Sequence, residues 1–197
     1  MLIILNERNV NEYLDGISMI HYGAYSKHHF TSCFNKEMLS RYYCFLVGSS
    51  DVSIVHLDDD GQVDGFVIAG ESVGRGVSQF ISAHRLYVVS VLLLNPTFLF
   101  EKMQSYLVSK FKQSVSGSGI SKFRLMSIAV SSDKQSKGVG AEMLDFFESV
   151  LKERGVSVYG LSVRKNNDRA MRFYVRNGFA VEKETNDSVY YFKGISG

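Results

Sequence analysis

The sequence has few cysteines and no cysteine motif. Cys33 and Cys44 are the only two, and they stand eleven residues apart without a C-x-x-C pair. This spacing excludes a disulfide framework and a structural zinc site, and no metal is implied. A reducing, cytoplasmic location is therefore expected.

The sequence also lacks a charge excess and a long apolar run. Its 22 Lys and Arg balance 20 Asp and Glu, so no nucleic-acid partner is expected. The longest apolar run, Leu86 to Leu94, is about half of the ~20 residues that a membrane-spanning helix needs. The N-terminus lacks the apolar stretch of a signal peptide. With 45% hydrophobic residues in 197, we expect one globular domain over residues 1–197 and no integral membrane segment.

The first seventy residues predict a strand, two helices and a hairpin. Leu2–Leu5 is a short apolar strand, and apolar residues at helical spacing predict helices over Val10–Tyr25 and around Met38–Phe45. The polar and aromatic segment between these helices, from Ser26 to Phe34, is a candidate substrate loop. A hairpin is predicted around Asp58–Gly61, because an Asp-Gly pair adopts the positive φ angles of tight turns.

Residues 72–122 have no clean strand pattern and are predicted to form a helical insertion. Apolar helical stretches over Phe80–Leu94 and Phe98–Phe111 are interrupted by Asn95-Pro96, and a Ser/Gly-rich loop follows. The insertion could be a dimer surface or touch a membrane, but packing in the core is the default for its apolar face, which comprises Phe80, Leu86, Val89, Leu92, Leu93 and Leu94.

From Arg124 onward the pattern is strand, glycine-rich turn, helix, strand, helix, strand, strand. The turn is Gln135-Ser-Lys-Gly-Val-Gly-Ala141, and it lies between the strand Arg124–Val130 and a helix that starts near Val139. Backbone N–H groups at a helix start bind anions, and glycines let a phosphate approach. Equally, glycines could simply ease a tight turn. A Rossmann motif would need a third glycine where Met143 stands, and no P-loop spacing is present.

These residues resemble the GCN5-related N-acetyltransferases (GNAT), which transfer an acetyl group from acetyl-CoA to an amine. Gln135-Ser-Lys-Gly-Val-Gly matches the family's Q/R-x-x-G-x-G/A signature. About forty residues on, Asn167, Ala170, Tyr174 and Gly178-Phe179 match a second family pattern. The resemblance implies an α/β (α+β) GNAT fold, in which a mixed, mostly antiparallel sheet of six or seven strands is flanked by helices, with the insertion between strands 3 and 4.

The resemblance also implies an acyltransferase and assigns roles to individual residues. Ile128, Ala129 and Val130 would pair with the pantetheine arm of acetyl-CoA, and Asn167 would hydrogen-bond that arm. Tyr174 would be the general acid that protonates the departing thiolate, although its place on an apolar helix face also suits a core tyrosine. The pyrophosphate would be held by the backbone amides of Gln135, Ser136, Lys137, Gly138, Val139, Gly140 and Ala141.

The general base stays open in the sequence. Relatives that acetylate ribosomal proteins carry a glutamate where this chain has Ser162. Candidate groups for the base and the acceptor site are Glu71, His21, His29, His84 and Phe30, and a water chain could also serve as the base.

The acceptor is expected to be a small primary amine. Diffuse similarity over the first helices to acetyltransferases of bacterial surface polysaccharide synthesis suggests an amino sugar, attacked directly in a ternary complex. The alternatives are a protein or peptide Nα-acetyltransferase and a non-catalytic acyl-CoA sensor. The oligomeric state stays open, with a homodimer among the options.

Overall fold

A seven-stranded mixed sheet forms the centre of the molecule. The computed structural model describes residues 1–24, 30–98 and 121–195. The strand order is β1-β2-β3-β4-β5-β7-β6, and only the β4–β5 pair is parallel. The strands are β1 (Leu2–Ile4), β2 (Val52–Leu57), β3 (Val63–Gly70), β4 (Arg124–Val130), β5 (Val158–Arg164), β6 (Ala180–Glu184) and β7 (Ser188–Gly194). The predicted GNAT-type sheet is confirmed.

Helices cover both faces of this sheet. Their bounds are α1 (Val10–Ala24), α2 (Lys36–Gly48), α3 (Val73–Ala83), α4 (Arg85–Leu94), α5 (Val139–Glu153) and α6 (Asp168–Arg176), with a 3-10 segment over Phe30–Cys33. Helices α1 to α4 share one core with β3, whereas α5 and α6 share the other core with β5 and β7.

Local sequence signals fix many of these boundaries. The Asn35 side chain accepts a hydrogen bond from the Met38 amide at 2.9 Å and starts α2, as an N-cap does. In the β2–β3 turn, the Asp58 carboxylate accepts from the Gln62 amide at 2.9 Å, and this bond is the main cause that lowers the Asp58 pKa. Gly61, Gly155 and Gly178 have positive φ angles of 75°, 72° and 82° at the turn and after α5 and α6, as glycine permits.

The described part of the insertion differs from the prediction in two ways. The predicted helix over Phe80–Leu94 is two helices, α3 and α4, which meet at His84 with an 87° bend. Among the described residues, α3 and α4 together, but no single helix, have the length and apolarity to cross a bilayer. Most of the predicted helix over Phe98–Phe111 and of the Ser/Gly-rich loop lies outside the described residues.

The apolar face predicted for the insertion is also wrong in part. Phe80 is buried and Leu92 partly buried, but Leu86, Val89, Leu93 and Leu94 are exposed. Val88 and Val91 are buried instead. The reason is that α4 is apolar on every side, so periodicity could not tell which side meets α2 and α3.

A substitution at Gly160, which lies against Arg124, tests the close packing of the β4–β5 pair. A Cβ at Gly160 would lie 2.3 Å from Arg124 Nη1 and 3.0 Å from the Tyr191 carbonyl oxygen. Arg124 cannot easily move, because Nη1 donates to Glu182 at 2.9 Å and Nη2 donates to the Leu161 carbonyl at 2.9 Å. We expect Gly160→Ala to lower the free energy of unfolding by about 1–3 kcal/mol, measured by urea denaturation.

The control is Gly74→Ala in α3, where an added Cβ meets nothing within 4 Å. Alanine favours the helix, so the free energy of unfolding should rise by about 0.5 kcal/mol or stay unchanged. Equal effects of the two substitutions would contradict the tight contact at Gly160.

Candidate functional site

The central feature of the site is a cleft between β4 and β5. These two strands pair in register at one position, Arg124 with Gly160. On its other side β4 carries a bulge, because Ile68 and Ala69 of β3 pair with Ser127 and Leu125 and leave Met126 without a partner. A bulge bends a strand. Beyond it, Ile128–Val130 stay paired with β3, while their edge toward β5 is left out of the ladder.

The β4–α5 loop, between Val130 and Val139, lies at the open end of this cleft and leads into the N-terminus of α5. Among the residues that the structure describes, no acceptor bonds the backbone N–H groups of Gln135, Ser136, Gly138, Val139 and Gly140. Two amides that were predicted with them are bonded instead: Lys137 N–H donates to the Lys134 carbonyl at 3.4 Å, and Ala141 N–H donates to the Gly138 carbonyl at 2.9 Å. Free amides at a helix N-terminus are attractive to anions.

Two positive φ angles shape the loop. Gly138, the residue before α5, has a φ of 92°, and Ser136 has a φ of 66°. The left-handed conformation costs a residue with a Cβ roughly 1–2 kcal/mol, so Ser136 must be held by its surroundings. Alternation of left- and right-handed residues turns successive amides toward one point, which is a known way to bind phosphate.

The two glycines of the signature have different roles. A Cβ at Gly138 would meet nothing within 4 Å, so the backbone angle and not space requires glycine there. A Cβ at Gly140 would lie 3.4 Å from the Phe173 ring and 3.7 Å from Val130. Gly140 therefore lets α5 approach both α6 and the end of β4.

Gln135 and Arg169 join the loop to its neighbours. Gln135 Nε2 donates to the Val130 carbonyl at the end of β4 at 3.0 Å, and Gln135 Oε1 accepts from Arg169 Nη1. Arg169 Nη2 also donates to Ser136 Oγ at 3.1 Å. One guanidinium on α6 thus holds two consecutive residues of the loop.

The charges around the loop have both signs. Lys134 Nζ lies 3.7 Å from Asp58, whereas Lys137 is exposed and makes no ion pair with a described residue. The Ser131 hydroxyl donates to Asp133 and is the main cause that lowers the pKa of that carboxyl, so Asp133 is negative at neutral pH. Lys137 lies within the stretch of free amides, and Arg169 bonds two of the residues that carry them.

Helix α6 carries the second set of predicted residues. Asn167 caps it, because Oδ1 accepts from the Ala170 amide at 3.1 Å. Tyr174 is 7% exposed, and its ring centroid lies 5.2 Å from that of Phe179 and 6.2 Å from that of Tyr191. Nearby in this core, burial is the main cause that raises the pKa of Tyr159, whose hydroxyl donates to Glu148 Oε1 at 2.6 Å. Tyr159 therefore stays protonated.

The candidate bases lie in separate places. Glu71 is exposed directly after Gly70, which pairs with Arg124, so it lies at the end of β3 away from the loop. His84 packs its ring against Phe45 and Phe80, and Phe30 contacts Phe34 and Phe98. His29 lies outside the described residues.

His21 has a structural environment. It is 1% exposed, and its Nδ1 lies 2.7 Å from the Tyr43 hydroxyl and its Nε2 lies 2.9 Å from Thr31 Oγ1. Both ring nitrogens are therefore engaged inside the core, which leaves neither for an incoming amine in this conformation.

Sequence reasoning missed three features near the loop. They are the bulge at Met126, the fork of Arg169, and a buried pair in which His56 Nδ1 bonds the Asp64 carboxylate. The Asp64 carbonyl accepts from the Ser131 amide at 2.8 Å, so this pair adjoins the start of the loop. Asp64 is itself the unpaired residue of a bulge in β3, and a bulge leaves no periodic signal in a strand this short.

Residues 114–179 match the family model described as the acetyltransferase (GNAT) family. The match covers β4, the loop, α5, β5 and α6, which are the elements that form the cleft. The comparison with curated proteins finds no match.

Solved structures with the same fold include several acetyltransferases. The chain is similar to the ribosomal-protein-S18-alanine N-acetyltransferase of Escherichia coli, at 16% identity and a TM-score of 0.58 over 100% of this chain and 94% of that one. It is similar to Ard1 of Thermoplasma volcanium, at 14% identity and a TM-score of 0.57 over 100% and 98%. It also resembles the PaiA N-acetyltransferase of Thermoplasma acidophilum in complex with coenzyme A, at 14% identity and 0.52 over 98% and 99%.

Proposed function

We propose that this chain, which belongs to the GNAT superfamily of acetyltransferases, transfers an acetyl group from acetyl-CoA to a primary amine. The observation that carries the proposal is the convergence of three parts at one cleft. An unpaired strand edge, a set of free amides and the N-terminal half of α6 all border the cleft that opens where β4 and β5 separate. Residues 1–197 would form a single domain with the insertion at 72–122.

The chemistry of the cleft fits the two ends of coenzyme A. A pantetheine arm contains amides, and the edge of Ile128–Val130 offers backbone groups that pair with an extended amide chain. A pyrophosphate is a dianion, and the free N–H groups of Gln135, Ser136, Gly138, Val139 and Gly140 would donate hydrogen bonds to it at the start of α5. Lys137 would add a positive charge at the edge, and Asn167 would bond the arm. The thioester would then lie near the bulge, where a backbone amide of β4 would polarise its carbonyl.

Tyr174 is the proposed acid. Tyr174 occupies the position on α6 to which the family resemblance assigns the general acid. A phenol that is protonated at neutral pH can give a proton to a departing thiolate. The amine has to attack in its neutral form, and in this proposal water removes its proton, because both ring nitrogens of His21 are engaged and the His84 ring packs against Phe45 and Phe80. No step is assigned to Glu71, His84, His29 or Phe30; the last two belong to the segment between α1 and α2, where an acceptor would be contacted.

The acceptor that we favour is a small amine such as an amino sugar. Ser162 is exposed on β5 opposite Tyr190, where a protein-acetylating relative would have a glutamate. A protein N-terminus and an acyl-CoA sensor without turnover are the alternatives. They differ in outcome: a sensor binds acetyl-CoA and releases no thiol, and a protein acetyltransferase releases thiol with peptides but not with amino sugars.

A matched pair of substitutions at Gly138 tests cofactor binding. Asn and Asp both tolerate a positive φ and have the same shape, but Asp adds a negative charge beside the free amides. We expect Gly138→Asp to weaken acetyl-CoA binding about tenfold more than Gly138→Asn, measured by calorimetric titration. Equal affinities of the two variants would remove the pyrophosphate from this loop.

Tyr174→Phe tests the proposed acid. The substitution keeps the ring contacts with Phe179 and Tyr191 and removes only the hydroxyl. We expect the acetyl-CoA affinity to stay unchanged and thiol release with an amine panel that includes amino sugars to fall by about tenfold or more. Tyr159→Phe is the control, because it removes a buried hydroxyl bonded to Glu148 and should act on stability alone. Unchanged turnover in Tyr174→Phe would exclude this phenol as the acid.

A further inference from the structure

Arg169 is the residue through which the two sequence motifs of the site contact each other. Its guanidinium lies on the first turn of α6 and donates to Gln135 Oε1 and to Ser136 Oγ in the loop before α5. Gln135 continues the connection to β4 by donating to the Val130 carbonyl at 3.0 Å. The sheet edge, the loop and α6 are therefore linked in one chain of hydrogen bonds.

The hydrogen bond from Arg169 to Ser136 stabilises an unfavourable backbone conformation of the loop. Ser136 has a φ of 66°, and its N–H is one of the free amides. This left-handed angle is energetically unfavourable for serine, because its Cβ comes too close to the backbone. The hydroxyl of Ser136 is oriented by Arg169, so the guanidinium holds the residue in the conformation that directs its amide into the cleft.

Arg169 also has no acidic partner that would hold it elsewhere. Its side chain is exposed, and it makes no ion pair with a carboxylate in the described part of the chain. Its two hydrogen bonds to described residues go to neutral atoms of one loop, a side-chain amide oxygen and a hydroxyl. The planar fork of arginine can reach two such acceptors at once, and a lysine ammonium on a thinner stem cannot do so with the same geometry.

We propose that Arg169 is a positioning residue, which holds the β4–α5 loop in its anion-binding conformation before acetyl-CoA binds. The proposal rests on the proposed function for the identity of the anion, but the ordering of the loop does not depend on it. Preorganisation of this kind raises affinity because the ligand does not have to order the loop itself.

The test combines backbone ¹⁵N relaxation of the free protein, which measures the order of each amide, with acetyl-CoA titration. Wild type is compared with Arg169→Met, Arg169→Lys and, as the control, Arg172→Met. Arg172 is exposed one turn further along α6 and has no hydrogen bond or ion pair with a described residue. Its replacement by Met therefore removes one positive charge from α6 and leaves the two hydrogen bonds of Arg169 in place.

We expect the backbone ¹⁵N order parameters of residues 135–140 to fall in both Arg169 variants, while the midpoint of thermal unfolding stays close to that of wild type. Acetyl-CoA affinity should fall about tenfold in Arg169→Met and nearly as much in Arg169→Lys, and stay within about twofold in Arg172→Met. In kinetics the effect should appear in KM for acetyl-CoA and not in kcat.

Three results would overturn the proposal. Unchanged order parameters of the loop in Arg169→Met would show that the fork does not order it. Full affinity in Arg169→Lys would assign the effect to charge, and an equal loss in Arg172→Met would do the same. Failure of wild type to bind acetyl-CoA would refute the proposed function instead, and the order parameters would still decide the role of Arg169 in the free protein.

Discussion

The separation of β4 from β5 is the constraint on which the site depends. A parallel pair normally continues along both strands, but here it stops after Arg124 and Gly160. Two features hold this point closed: Arg124 crosses Gly160 to bond Leu161 and Glu182, and Gly160 leaves room for it. The bulge at Met126 then turns β4 away, which converts ladder groups into a binding edge. The same few residues therefore close one end of the cleft and open the other.

The loop at the open end is positioned by contacts from three directions. Gln135 connects it to β4, Arg169 connects it to α6, and the Asp64 carbonyl holds the Ser131 amide at its start. Gly140 adds close packing, since no Cβ separates α5 from Phe173. A loop with free amides is unfavourable by itself, because unpaired N–H groups lose hydrogen bonds. Partial exposure to water and these surrounding contacts make the conformation tolerable without a ligand.

The sequence predicted the elements of the second half of the chain well, because each boundary has a local cause. Asn167 caps α6, Gly155 and Gly178 end helices, and the apolar positions of α5 repeat at helical spacing. The GNAT resemblance was confirmed for the same reason, since its motifs are local. What could not be predicted depends on contacts between distant residues. Arg169 is one of several basic residues in its segment, and only the fold shows that it reaches Gln135, 34 positions away. The predictions of a single helix through His84 and of the buried side of α4 were wrong for a different reason. An evenly apolar segment has no helical periodicity that shows which side is buried.

The α1–α2 side of the molecule, where we propose that the acceptor is contacted, is harder to interpret, since apolar and buried polar contacts hold it together and indicate no reaction. His21, Tyr43 and Thr31 join α1, α2 and the 3-10 segment through bonds that use both imidazole nitrogens. Phe34, directly after that segment, makes aromatic contacts with Phe80 of α3 and Tyr87 of α4, at ring-centroid distances of 5.5 Å and 5.7 Å. The described part of the insertion thus belongs to the core that α1 and α2 share, whereas α5 and α6 pack into the other core with β5 and β7. A substitution in α3 or α4 is therefore expected to disturb the α1–α2 side of the molecule before it disturbs α5 and α6, where we propose that acetyl-CoA is held.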